Sequence, residues 1–256
     1  MNLNLFFLIL IFLLIPPASA QAEYSKEQIK SIEEWAPKEK LAAEMLARAY
    51  LTGNGVPQNY EKAIFWFKSA ADRGDVNSQN ALGDIYREGT GVPVDDKQAL
   101  YWYRKSAESG NTVGMYSLGF AYSNGKGVTQ DDKNALYWYK KTAEKGDQDA
   151  QLKTGLKYKA GEGTPQNYKQ AAYWFRKAAE QGYASGQVFL GMAYEHGEGV
   201  PQDYKQAYAW YSTAAANGEK DAASFRDRIE KKLAAQDLSK AQDLAAGYFK
   251  NYQPKE

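Results

Sequence analysis

The chain has 256 residues, 44% of them hydrophobic, and its 32 lysines and arginines nearly cancel its 31 aspartates and glutamates. That is enough apolar material for a sizeable core, while the near-zero balance supplies no basic field for nucleic acid and no acidic excess of a disordered tail. With no cysteine and a single histidine, His196, the sequence excludes disulfides, thiolate nucleophiles, cysteine-based zinc sites and multi-histidine metal sites, and it implies no cofactor.

The chain starts with an apolar run from Leu3 to Ile15, broken only by Asn4, and continues through Pro16-Pro17 to Ala18-Ser19-Ala20. This pattern predicts a signal peptide over 1–20, cleaved near Ala20-Gln21, and hence a periplasmic or secreted protein. The run is shorter than the ~20 apolar residues a membrane span needs. The start also lacks a basic residue, so the alternative is a retained anchor, the one circumstance in which a membrane becomes a partner.

A helix is expected next, over Tyr24 to Trp35 before Pro37, as an N-terminal cap within 21–37. From 38 to 218 the sequence repeats. Trp66, Trp102, Trp138, Trp174 and Trp210 stand 36 residues apart, and so do the pairs Gly53/Gly55, Gly89/Gly91, Gly125/Gly127, Gly161/Gly163 and Gly197/Gly199. The single glycines Gly74, Gly110, Gly146, Gly182 and Gly218 keep the same interval.

Each unit predicts two helices. Positions such as Ala42, Leu46 and Tyr50, matched by Ser78, Leu82 and Tyr86, have helical spacing and define helix A, which the glycine pair closes. Asn59, Asp95, Asp131, Asn167 or Asp203 then caps helix B, often with glutamine three residues on, as in Gln98, Gln170 and Gln206. Helix B carries its alanines and tryptophan on one face and stops at the single glycine. One hairpin of this size cannot bury its apolar face, so the predicted fold is all-α: five 36-residue hairpins stacked as a right-handed α-solenoid. Phe225, Ile229 and Leu233, then Leu238, Ala241, Leu244 and Tyr248, extend the helical spacing without glycine pairs and predict capping helices over 219–256.

The stretch "ALGDIYREGTGVPVDDKQALYWYRKSAESG" from Ala81 to Gly110 resembles the Sel1-like repeat, a relative of the tetratricopeptide repeat, almost end to end. The resemblance runs from about Ala42 to Gly218 and departs at Thr154, where other copies have leucine, and at Thr129, which replaces proline. It implies an adaptor without enzymatic activity that binds a protein or peptide.

At about 100° per residue, the positions of helix A opposite its alanine, leucine and tyrosine face point to the inner surface of the stack. In the first two copies they are mostly polar, Glu44, Met45 and Arg48, then Asn80, Ala81 and Asp84. In the next three they become Tyr116 and Phe120, then Leu152 and Leu156, then Val188, Phe189 and Met192. Large apolar groups on a nominally solvated face predict a partner-binding groove. The alternative is that they pack against neighbouring hairpins or under the C-terminal cap.

Two short matches suggest other chemistry. Ser123 and Lys126 have serine-x-x-lysine spacing, and Lys153-Thr154-Gly155 spells a tripeptide of penicillin-interacting enzymes. Cysteine-rich relatives described as β-lactam-binding make slow β-lactam binding or hydrolysis the alternative function. Against it, Ser123 falls where helix A ends and the tripeptide falls in a helix. His196, alone beside Gly197, reads as a surface or capping residue, and the glycine pairs lack the lysine and hydroxyl residue of a phosphate loop.

Overall fold

The computed structural model describes residues 23–254, so the predicted signal peptide over 1–20 lies outside the described residues. Within them are thirteen helices and no strand. The chain divides into two compact units, one ending at Asn111 and the other beginning at Thr112.

The first unit contains α1 (Lys26–Trp35), α2 (Lys40–Thr52), α3 (Tyr60–Asp72), α4 (Val76–Glu88) and α5 (Asp96–Glu108). A capping box starts α1: the Ser25 hydroxyl accepts from the Gln28 amide while the Gln28 side chain accepts from the Ser25 amide. Helices α2 and α3 form one hairpin and α4 and α5 the next, with α3 packed on α4. Phe67, Leu46 and Leu82 are fully buried in their shared core.

The second unit contains α6 (Thr112–Asn124), α7 (Asp132–Glu144), α8 (Gln148–Ala160), α9 (Tyr168–Ala179), α10 (Ala184–His196), α11 (Tyr204–Ala216), α12 (Ala222–Glu230) and α13 (Ala235–Asn251). Here α6/α7, α8/α9 and α10/α11 are hairpins, and α12 and α13 close the last one by packing on α11. The construction is that of an all-α solenoid of helical hairpins.

Local chemistry explains the regularity. Gly53, Gly89, Gly161 and Gly197 cap their helices in the left-handed conformation. Six residues after each of them, the amide of the Asn or Asp cap donates back to a helix-A tyrosine carbonyl, as Asn59 does to Tyr50 at 2.8 Å and Asp203 to Tyr194 at 3.0 Å. The same cap's side chain accepts from the amide three residues on, Lys62 for Asn59 and Gln206 for Asp203.

Within a unit, the second glycine of a pair has a different role, as at Gly91, Gly163 and Gly199. A Cβ on Gly163 would meet the Asp132 carbonyl oxygen at 2.2 Å, and one on Gly199 would meet that of Tyr168 at 2.0 Å. These glycines let the turn of one hairpin touch the start of helix B in the hairpin before it. These turns are therefore also interfaces between repeats of one unit.

A second close approach holds four of the five hairpins together, Ala47 taking the matching position in the first. Gly83, Gly119, Gly155 and Gly191 lie inside the A helices, and a Cβ on any of them would come within 3 Å of the ring of Tyr103, Tyr139, Phe175 or Tyr211 respectively. Thr154, the departure from leucine, is fully buried, and its hydroxyl donates to the Ala150 carbonyl at 2.7 Å. That bond satisfies the polar group without a partner from another helix.

Candidate functional site

The A helices of the second unit, α6, α8 and α10, carry the seven apolar residues predicted to form a groove. The structure separates them. Phe120, Leu156 and Phe189 meet in one recess of about 590 Å³ between the C-terminal part of α6, helix α8 and the start of α10, with the Tyr139 ring in its wall. Phe120 is 41% exposed. The Phe189 ring stacks on buried Phe175, with centroids 5.2 Å apart, which fixes one wall.

Tyr116 lies behind this surface. Its ring tilts against Tyr139 at 5.4 Å and packs on the cluster around Trp174, and burial is the main cause pushing its hydroxyl above the usual tyrosine pKa. Leu152 and Val188, 9% and 6% exposed, fall in the core instead of lining a groove. Leu152 packs with Phe175, Leu190 and Trp210. Val188, with partly buried Met192, is sealed beneath Ile229 and Ala241 of the capping helices. The physical reason is that Leu152 meets side chains of α9, α10 and α11, and Val188 joins the core that α11 shares with α12 and α13, neighbours that a helical wheel of one helix does not contain.

Residues outside the predicted set complete the recess: Lys153, Lys157, Lys159 and Glu162 on its rim, with Ser123 and Tyr168. Lys157 is buried where the other copies have Ala49, Ile85, Ala121 and Ala193. Its Nζ donates to Asp132 and Glu162, each at 2.7 Å. Desolvation pulls the Lys157 pKa down, but these two hydrogen bonds and the carboxylate charges outweigh it and hold the ammonium above its ordinary value. Lys159 pairs with Glu198 at 2.6 Å. Lys153 is exposed and has no carboxylate partner among the described residues. The departure of Lys157 from an otherwise apolar repeat position is a signal the sequence contained; Lys153 and Lys159 sit at variable positions and give none.

The recess thus offers an apolar floor with one unneutralised ammonium at its edge. Among the described residues, the serine-x-x-lysine and Lys153-Thr154-Gly155 matches do not have the setting of an acyl-transfer site. Lys153-Thr154-Gly155 lies within α8, where the Thr154 hydroxyl is spent on the helix backbone and Gly155 is covered by Phe175. Ser123 occupies the last turn of α6. His196 ends α10, exposed, before the Gly197 cap. Among the described residues no group of three or more histidine, aspartate or glutamate side chains could hold a metal ion.

The Sel1 repeat matches the chain five times in unbroken succession, over residues 40–75, 76–111, 112–147, 148–183 and 184–219. The chain belongs to the Sel1 repeat family. A Sel1 repeat protein from Oxalobacter formigenes is similar in structure, with TM-score 0.71, 32% identity, and coverage of 76% of this chain and 82% of that one. A protective antigen of uropathogenic Escherichia coli with an SLR fold is 33% identical at TM-score 0.55 over 89% of this chain. This chain spans only 57% of the length of that antigen. A comparison with curated proteins finds no match. Sel1 repeat proteins generally mediate protein–protein interaction and are generally without enzymatic activity.

Proposed function

We propose that this Sel1 repeat protein is an exported adaptor or regulator that binds a protein or peptide segment in the recess of α6, α8 and α10. The observation that carries the reading is Phe120, a large ring left exposed beside Leu156 and Phe189 on the floor of a recess edged by Lys153. Phe120 differs from most other exposed rings in lying beside two further apolar side chains within a recess. Its volume is within the ~300–1,000 Å³ typical of ligand pockets.

The chemistry selects the partner segment: an apolar or aromatic side chain to cover Phe120, with a carboxylate nearby to meet Lys153. Burying one such side chain contributes ~1.5–3 kcal/mol, so several contacts along the recess are needed to offset the cost of association, ~4–15 kcal/mol. Export is proposed on the apolar run from Leu3 to Ile15 followed by Ala18-Ser19-Ala20. Among the described residues no helix is long and apolar enough to cross a membrane.

The test is a selection from a displayed peptide library on the full chain, followed by titration of a selected peptide into variants. Phe120→Ala is expected to weaken binding roughly 10- to 100-fold with unchanged helicity, and Lys153→Glu to weaken it further for acidic peptides. Peptides that bind Phe120→Ala and Phe189→Ala as tightly as the parent protein would refute the assignment. Sequencing the amino terminus of the mature protein checks cleavage near Ala20-Gln21.

A further inference from the structure

The last repeat is closed by the chain's own tail, and the way it is closed defines a ligand. Tyr248 and Tyr252, at the end of α13, lay their rings on Trp210 with centroids 4.4 and 5.3 Å away. The Tyr252 carbonyl accepts from Gln187 Nε2 and from Asn217 Nδ2, both at 3.0 Å. Asn217 also donates to Gln187 Oε1 at 3.0 Å, so the two amides act as a pair. The tail then crosses Gly182 so closely that a Cβ there would lie 2.3 Å from the Gln253 backbone.

Each of these residues has a counterpart 36 positions earlier: Trp174, Gln151, Gln181 and Gly146. The amide pair is present again, with Gln181 Nε2 donating to Gln151 Oε1 at 2.7 Å. Gln151 Nε2 donates to the Ala143 carbonyl at 3.2 Å, as Gln187 Nε2 does to Ala179 at 3.1 Å. The other contact of Gln181 Nε2, to the Lys177 carbonyl at 3.5 Å, is at the weak limit of a hydrogen bond. Around Gly146 nothing lies within 4 Å of an added Cβ, and all four residues line an open recess of about 510 Å³. The copy before this one has Met115 and Lys145 at the two amide positions, so the pair belongs to the last two repeats of the second unit.

One substitution separates the two sites. Ala209, fully buried, leaves the face of Trp210 clear for the tail. At the matching position Tyr173 is 49% exposed and stands edge-on to Trp174 at 5.1 Å, with Lys177 over its ring. Tyr173 stands edge-on at 81° where the tail rings lie at 31° and 23° to Trp210, and Trp174 is 5% exposed, so a segment seated like the tail has to displace the Tyr173 ring.

We propose that the recess at Trp174, Gln151 and Gln181 docks the helix end of a partner protein carrying two aromatic residues four positions apart. The segment seats as Tyr248–Pro254 seats on the following repeat. A separate partner is the fitting occupant because this chain's own α13 is already committed to α11. This site shares no lining residue with the recess at Phe120 and does not depend on its function.

The probe is a fluorescent synthetic peptide of residues 244–254, titrated into the full-length protein with anisotropy as the readout. We expect one saturable site, roughly fivefold or more tighter for Tyr173→Ala and roughly tenfold weaker for Gln181→Ala. A peptide with Tyr248 and Tyr252 replaced by alanine should not bind. The gain from Tyr173→Ala cannot arise from misfolding. Absence of saturable binding even with Tyr173→Ala would overturn the proposal. So would binding that responds to Gln187→Ala and not to Gln181→Ala, which would mean that the peptide displaces the native tail. Self-association of the protein that is lost in the full-length Tyr252→Ala variant would overturn a separate partner in favour of a second copy.

Discussion

Two identical substitutions, Gly155→Ala and Gly247→Ala, should move stability in opposite directions. Both glycines are inside helices, α8 and α13, where alanine is favoured over glycine by about 0.5–1 kcal/mol. At Gly247 a Cβ meets nothing within 4 Å, so that gain is realised in full. At Gly155 the Cβ would sit 2.5 Å from Phe175 Cε1, 2.7 Å from Cδ1 and 3.2 Å from the Ala171 carbonyl. The Phe175 ring cannot withdraw, because it is buried and stacked on Phe189. Overpacking of this kind costs about 1–3 kcal/mol, which set against the propensity gain leaves a net loss of up to about 2.5 kcal/mol. For a unit of this size each kcal/mol moves the midpoint by about 2–4 °C. Thermal unfolding followed by helicity should therefore place Gly155→Ala below the parent protein and Gly247→Ala above it. A Gly155→Ala variant stabilised as much as Gly247→Ala would refute the claim that these glycines seat the helix-B rings.

Two further outcomes test the core and the cap. Leu190→Ala removes a fully buried side chain from the cluster it shares with Leu152, Phe175 and Trp210 and should cost about 2–5 kcal/mol in urea titration; a loss below about 1 kcal/mol would mean the site collapses freely. Glu195, buried, accepts from Tyr211 at 2.9 Å, Arg228 at 2.7 Å and Lys232 at 3.4 Å, joining α10 to the cap. Burial acts to raise its pKa, but the hydrogen bonds from Arg228 and Tyr211 outweigh it and hold the folded value below the ordinary one. Its contribution is therefore full above the unfolded glutamate pKa, about 4.3, and is lost as pH falls through the lower folded value. Glu195→Gln should flatten that part of the acid limb of the stability profile, and an unchanged limb would show that other carboxylates set it.

The local signals in the sequence were enough for the repeat because the devices that build it act over a few residues. Gly53 needs only its own backbone to close α2, and Asn59 needs only the Lys62 amide to start α3. The same holds for Ser25 and Gln28 at α1. These requirements recur every 36 residues and so appear as a pattern, and stacking follows because a single hairpin leaves its apolar face uncovered.

The assignment of side chains to groove or core depended on contacts between residues distant in the chain. A helical wheel places Phe120, Val188 and Met192 on comparable faces, yet only Phe120 remains exposed, since Ile229 and Ala241 arrive from the cap to cover the others. The same is true of the glycines whose purpose is to admit a neighbour: Gly163 admits Asp132, and Gly155 admits Phe175. Ala209 was one more small residue in helix B until the tertiary structure laid Tyr248 and Tyr252 on Trp210 beside it. By itself the sequence determined the helices, their caps and their period, because those depend on neighbours in the chain. Which faces stay open to a partner was decided only by the tertiary structure, because exposure depends on which other helices pack there.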